Sequence, residues 1–301
     1  MNQRQFMASL TKQQRVYFAQ KSDVEGLKRL LQQWLLIAVL MALVLLSQSL
    51  LLKLVFMLPL GILLVFQFTL LHETSHRTPF KSRHINDAVG NLCGFILLLP
   101  PEWFRLFHLE HHRHTNDPEK DPELASDKPQ THRQYLLHIS GLTVWWGSAK
   151  SLWSNATNTI DEVYIPEGKS AGIQREARIY LALYVAAAIA ILLGNTVLLS
   201  VWIVPVLLGQ PFLRLYLLAE HAGCPHTSNL FENTRTTYTN KLVRWLAWNM
   251  PYHAEHHVYP AVPFYKLAEV HELSKQYLAV TSDGYMRFNR DYWKNTRQPH
   301  S

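Results

Sequence analysis

The chain has 301 residues, of which 48% are hydrophobic and only 17% charged, with 16 histidines and a net charge of +7. Two cysteines, Cys93 and Cys224, are too few for a disulfide framework or a cysteine-built zinc or iron–sulfur site, so both read as buried thiols. The basic residues form no single stripe of the kind that grips nucleic acid; beside long apolar runs they mark the cytoplasmic flanks of a membrane protein.

Residues 1–30 are polar and basic, with Arg4, Lys12, Arg15, Lys21, Lys28 and Arg29. The apolar run that follows is too long for a signal-peptide core and has no small-residue cleavage site after it. Residues 1–30 are therefore expected to form a cytosolic tail leading into a first span. The apolar block from Trp34 to Leu71 is too long for one crossing and fits two, at 34–51 and 54–71, with a turn near Leu52–Leu54. Ala88–Pro101 is apolar but too short to cross, and suits a re-entrant or interfacial segment, with a buried helix as the alternative. Gln134–Trp153 has the composition of an amphipathic helix lying on the bilayer surface.

A second apolar block, Ile179 to Ala219, divides into spans at 179–194 and 196–219 around Gly194–Asn195, with Pro205 and Pro211 placed to kink the second. Two hairpins leave residues 72–178 and 220–301 on one side, where nearly all the remaining Lys and Arg lie, which makes that side cytosolic. The expected fold is all-α: an integral membrane protein of two transmembrane helical hairpins, about four spans, under a cytosolic helical cap. Residues 31–270 form the membrane domain and 271–301 a C-terminal cytosolic tail. Trp103, Trp145, Trp146, Trp153, Trp245 and Trp248 flank the apolar segments as an interfacial belt.

Histidine spacing carries the chemistry. His72 and His76 are four apart and share a helix face; His108, His111 and His112 follow as H-x-x-H-H, and His253, His256 and His257 repeat that pattern. His221 stands at the inner end of the fourth expected span. Two such clusters with a third helix-facing pair arise by chance in roughly one chain in a thousand, so scattered surface histidines do not explain them. Imidazole suits zinc, copper, iron and nickel. A single zinc takes three or four ligands, whereas eight or nine histidines converging from four segments suit two metals with positions left open. A carboxylate-type di-iron bundle would need paired Glu-x-x-His motifs, and only Glu73–His76 has that spacing. His72-Glu73-Thr74-Ser75-His76 is also H-E-x-x-H, the zinc metalloprotease signature. That alternative leaves both H-x-x-H-H clusters and His221 without a role.

H-x-x-x-H followed by two H-x-x-H-H boxes, set around two hairpins, resembles the membrane fatty acid desaturase superfamily over about residues 30–270. Ala219–Pro225, Asn233–Thr237 and Asn249–His257 are similar to bacterial members. The resemblance implies that His72, His76, His108, His111, His112, His253, His256 and His257, with His221 as a ninth, hold two iron ions. It further implies O2 as co-substrate and hydrogen abstraction from a lipid or fatty acyl chain, giving a cis double bond. Hydroxylases and carotenoid ketolases share these boxes, so lipid or carotenoid oxygenation is the alternative outcome. Electrons are expected from a separate ferredoxin, rubredoxin or cytochrome b5-type donor with its reductase, at a bacterial cytoplasmic membrane with the active site on the cytosolic side.

Around the boxes, Glu73, Glu110 and Glu255, with Glu220 beside His221, are candidates to accept the second ring N–H of a histidine. Asp117, Glu119, Asp121 and Glu123 suit a solvated loop, in which an Asp just after the second box is placed to reach its histidines. His114 is close enough to that box to support it, whereas His84, His132, His138, His226, His271 and His300 read as surface or core residues.

Overall fold

The computed structural model describes residues 1–125, 127–157, 160 and 162–296, so His300 lies outside the described residues. The chain is mostly helical. Helix Asp23–Leu46 starts at a Ser22 cap and buries a single stripe, Gly26, Leu30, Gln33, Ile37, Leu40 and Val44. Its other faces are apolar too and stay exposed, as at Leu31, Leu35, Val39 and Leu46. An apolar helix with a buried stripe and exposed leucines elsewhere is what a lipid-facing span requires. The return helix runs Leu50–Val65 and continues as Gln67–His76 after a break at Phe66. The turn therefore falls at residues 47–49, earlier than the expected Leu52–Leu54. Ser47, Gln48 and Ser49 are three polar residues in succession, whereas Lys53 is carried inside the helix, where a long side chain can reach the interface.

Among the described residues, three helical stretches can cross a membrane by length and composition, Lys12–Leu46, Leu50–His76 and Thr196–His221. A fourth is added if the bent pair Arg83–Leu97 and Pro101–Arg113, at 93° to one another, counts as one. The expected third span, 179–194, is the C-terminal part of helix Ser170–Leu192. Arg175, Glu176 and Arg178 occupy its first turns and shorten its apolar length. Gly194, at φ +97°, makes the expected turn into Thr196–Leu198, a π turn at Leu199–Ile203 and helix Val204–His221. The return helix and this last helix meet at Gly61 and Gly209. A Cβ on Gly61 would lie 1.9 Å from the Pro205 carbonyl oxygen, and one on Gly209 2.3 Å from the Gly61 backbone. Small residues at such a crossing let two backbones touch, which is how helices without a hydrophobic driving force associate in lipid.

Ala88–Pro101 belongs to the bent pair. Helix Arg83–Leu97 ends at Leu98 in the left-handed region, and Pro101 opens the next helix as its first residue. The hydroxyls of Tyr180 and Tyr184 and the indole N–H of Trp202 donate to its carbonyls at Asn91, Phe95 and Ile96. The expected surface helix is two, His132–Ser140 and Leu142–Thr157, broken at Gly141 (φ +73°). They leave Leu136, Leu137, Leu142, Trp146 and Trp153 exposed.

Three expectations change. The fold is not purely α, because Thr236–Tyr238 pairs in parallel with Thr281–Asp283. The two terminal stretches expected as tails are folded: helices Gln3–Ser9 and Lys12–Ala19 bury Phe6 and Phe18, and helix Tyr285–Asn295 packs on Val204–His221 through Phe288 and Asn289. Trp248 is not interfacial; it is fully buried and donates its indole N–H to Gln33. Cys93 and Cys224 are buried free thiols, as expected.

Candidate metal centre

Each histidine is brought in by the end or the face of a short rigid element. Helix Gln67–His76 presents His72 and His76 one turn apart and stops where Arg77 turns left-handed, φ 56°. Helix Pro101–Arg113 carries His108, His111 and His112 on its last turns. His221 is the final residue of Val204–His221. The third box is the six-residue helix His253–Val258, approached through two successive left-handed residues, Trp248 and Asn249 (φ 50° and 59°). That conformation is costly for a tryptophan. It is held by the Trp248–Gln33 bond and by Asn249 Nδ2 donating to the Phe264 carbonyl.

All nine histidines gather, and they divide. Ring nitrogens of His72, His76, His108, His112 and His256 lie within 4.8 Å of one another, and those of His111, His221 and His257 form a second set by the same measure. His253 joins them: its Nε2 is 3.1 Å from Nε2 of both His221 and His257, and its ring centroid is 6.1 Å from that of His72. In the first set His76 Nε2 is 2.8 Å from His108 Nε2, and His256 Nε2 is 3.2 Å from His112 Nε2. Only His76 and His112 are half-exposed; the other seven are buried.

A metal fits this donor set on chemical grounds. Burial, reinforced by neighbouring histidines, holds His253, His256 and His257 well below the ordinary imidazole range, so they are neutral with a lone pair free. Both ring nitrogens of buried His72 lack a hydrogen-bond partner, as do Nδ1 of His112, His253 and His256. Unpartnered buried nitrogens are costly; a cation among the converging ring nitrogens gives His72 a partner, whereas Nδ1 of His112, His253 and His256 lies on the side of the ring away from the converging Nε2 atoms.

Behind the histidines stand the groups that aim them. Asp121 accepts from His111 Nδ1 at 2.9 and 3.0 Å and from the backbone N–H of Asn116 and Glu123 at 2.7 and 2.9 Å. Burial raises the Asp121 carboxyl, but His111 and the two backbone donors outweigh it, leaving the group below the usual carboxylate range. Thr115 Oγ1 lies 3.1 Å from His257 Nδ1, and the Asn233 carbonyl accepts from His221 Nδ1 at 3.2 Å. Glu73 Oε1 is 3.8 Å from His256 Nδ1, and Glu220 Oε1 is 3.6 Å from His253 Nδ1. Neighbours on a helix point apart, so each of these carboxylates faces a histidine on another segment rather than the one beside it: Asp121 within hydrogen-bond distance, Glu73 and Glu220 beyond it.

Other expected residues lie elsewhere. Glu110 pairs with Arg113 and stands 3.4 Å from half-exposed His114. Glu255 is buried inside the third box yet accepts from Thr236 and His271. His271 and Thr115 carried no spacing signal. Among the carboxylates of the 116–123 loop, Glu123 lies 3.8 Å from His111 but is part-exposed, and Asp117 accepts from the Glu119 N–H. His226 and His132 bond the carbonyls of Asn116 and Trp293. The H-E-x-x-H alternative meets an obstacle in Glu73, which is fully buried and accepts from Thr78 Oγ1 and the Phe264 N–H. With Oε2 taken by these scaffold contacts and no exposed surface, Glu73 is poorly placed to serve as the general base of a protease.

A family model of fatty acid desaturases matches residues 49–289. Dihydrorhizobitoxine desaturase of Bradyrhizobium elkanii is 30% identical over 241 residues, covering 72% of this chain and 68% of that protein. The sn-1 oleoyl-lipid 12-desaturase of Anabaena variabilis is 25% identical over 222 residues, 66% of this chain and 62% of the relative. A sphingolipid delta(4)-desaturase of Drosophila melanogaster is 28% identical over 212 residues, 68% of this chain and 61% of that protein. The chain thus spans somewhat less than two thirds of the last two relatives. The matched region takes in every histidine of the cluster, and the chain belongs to the fatty acid desaturase family, oxidoreductases that generally depend on a di-iron centre.

Proposed function

We propose that the protein is a membrane-bound, O2-dependent desaturase of lipid acyl chains, with two irons held by His72, His76, His108, His111, His112, His221, His253, His256 and His257. The observation that carries this reading is the division of imidazoles from four segments, most of them buried, into two adjacent sets joined by His253. Iron bound there supplies the O2-dependent oxidation of an unactivated C–H bond. The protein's own part is to fix the imidazoles before metal arrives, through Asp121, Thr115 and the Asn233 carbonyl, and to keep bulk water from a site where seven of the nine rings are buried.

The same reading places the hairpin of Asp23–Leu46 with Leu50–His76, and that of Ser170–Leu192 with Thr196–His221, across a bacterial cytoplasmic membrane, with the histidines on the cytosolic side. The excess of Lys and Arg outside the apolar stretches supports that orientation. Electrons come from a separate carrier of ferredoxin, rubredoxin or cytochrome b5 type. Expression in a host of known lipid content, followed by lipid mass spectrometry, tests the function. A product lighter by two hydrogens supports desaturation, a product heavier by one oxygen assigns the hydroxylase chemistry of related enzymes, and unchanged lipids under electron-donor supply overturn the proposal.

A further inference from the structure

A cavity of about 310 Å³ opens beside the first box, between helices Gln67–His76, Arg83–Leu97 and Pro101–Arg113. Arg77, Arg83 and Arg105 all line it, and one carboxylate, Asp87, serves them. Asp87 sits 3.7 Å from Arg77 and 3.6 Å from Arg83, ion pairs too long to be hydrogen bonds. Half-buried Arg105 has no hydrogen bond or ion pair among the described residues. Two further atoms of the wall are buried without a partner: Arg77 Nε, and Oδ1 of Asn86, a residue 1% exposed whose amide nitrogen already donates to Phe80 and Ser82.

The remaining carboxylates do not neutralise the arginines. Glu176 accepts the Glu102 backbone N–H at 3.0 and 3.2 Å and so caps helix Pro101–Arg113, while the Glu102 carboxylate lies against Gly172. The cavity is therefore bipolar. Guanidiniums with unused donors line one part, and acceptors capable of taking a hydroxyl or ammonium line another.

We propose that this cavity binds the phosphoryl group of a phosphate ester, the polar head of the acyl substrate, through Arg77, Arg83 and Arg105. Guanidinium forks match phosphate oxygens in pairs, and three of them suit a group with more acceptor oxygens than a carboxylate has. A volume near 310 Å³ holds more than a bare anion, leaving Glu102 and Glu176 to meet the polyol or amine part of a head group. Thr74 and Ser75, in the same wall, belong to the turn between His72 and His76, so a head bound here is anchored next to the metal centre. The assignment of the ligand as substrate rests on the desaturase reading; the phosphoryl site itself does not.

The test is calorimetric binding to the detergent-purified full chain, with glycerophosphoglycerol, inorganic phosphate and neutral galactosylglycerol as probes. Both phosphate probes should bind and galactosylglycerol should not. Tighter binding of the ester assigns a lipid head, and equal affinity assigns free phosphate; either supports a phosphoryl site. Arg83→Gln and Arg105→Gln should each weaken binding about tenfold, the loss of one charge-assisted contact, while exposed Arg133→Gln, on helix His132–Ser140, should not. Arg83 is exposed in the first turn of its helix, so its variant keeps the test valid if Arg105→Gln fails to insert. Absence of binding, equal binding of galactosylglycerol, or unchanged affinity in Arg83→Gln overturns the proposal. Binding that persists where host lipids stay unchanged removes the desaturase reading alone, and desaturation without binding removes the phosphoryl site alone.

Discussion

Replacing Asp121 by asparagine tests whether the histidines are held in place before metal binds. The carboxylate is 5% exposed and takes four contacts, two from the His111 ring and one each from the Asn116 and Glu123 N–H groups. Asn keeps the shape and one acceptor oxygen, but loses the charge and turns an amide N–H₂ toward one of these donors. Charge-assisted hydrogen bonds contribute about 1.5–3 kcal/mol each. With one acceptor retained, the net loss is on the order of one such bond. Removal of a carboxylate that orients a metal-binding histidine typically lowers metal affinity by about 10–100-fold. Wild type and Asp121→Asn, purified in detergent, would be titrated with a chelator and the retained metal measured by plasma mass spectrometry. The variant is expected to release metal at a chelator concentration lower by that factor, with helix content by circular dichroism unchanged. Equal retention by both proteins would refute the idea that Asp121 fixes His111 for a metal.

Other perturbations separate the site from its scaffold. His112→Ala or His257→Ala should abolish turnover and lower iron content while the protein still inserts in the membrane; full activity and loading in either would sink the assignment of the boxes. Gly61→Leu should prevent the return helix from meeting Val204–His221, since even a Cβ lies 1.9 Å from the Pro205 oxygen. Overpacking of that kind costs about 1–3 kcal/mol or more, and loss of the monodisperse peak in detergent size-exclusion chromatography is the readout. Gln33→Leu strands the Trp248 indole and frees the Leu246 carbonyl, while the Trp245 carbonyl keeps Arg29, at about 1–3 kcal/mol per buried group left unpaired; a lower melting temperature with metal content retained is expected. His271→Ala leaves fully buried Glu255 with Thr236 as its side-chain partner, and should destabilise the third box, seen as faster metal loss on mild heating.

The gathering of the boxes was legible because a shared centre imposes a spacing, and spacing survives in the one-dimensional chain. His221 was legible from its place at the end of an apolar run. What supports them was harder to see, since it depends on which segments meet. Asp121 was singled out only as one acid in a loop of four, and Thr115, Asn233 and His271 have no pattern that distinguishes them from ordinary polar residues. Glu110 looked equivalent to Glu73 from its position beside a histidine, yet it turns outward to Arg113. Sequence adjacency on a helix is a poor guide to facing.

The apolar blocks announced the long helices, but the exact turn did not follow from them. Lys53 suggested a break where three small polar residues, six to four positions earlier, in fact make it. The strand pair escaped notice for a physical reason. Each strand has three residues, too few to show alternation, and their pairing joins segments far apart in the chain. The terminal stretches read as tails because their buried residues, Phe6, Phe18 and Phe288, are few and set among polar and charged ones.

The central claim is that nine histidines hold two irons, and metal analysis of the purified full chain tests it most directly. Plasma mass spectrometry together with Mössbauer spectroscopy of protein grown on ⁵⁷Fe should show about two irons per chain in a nitrogen-rich environment, as two adjacent imidazole sets require. One zinc per chain, or a single iron with half of the histidines unengaged, would contradict it.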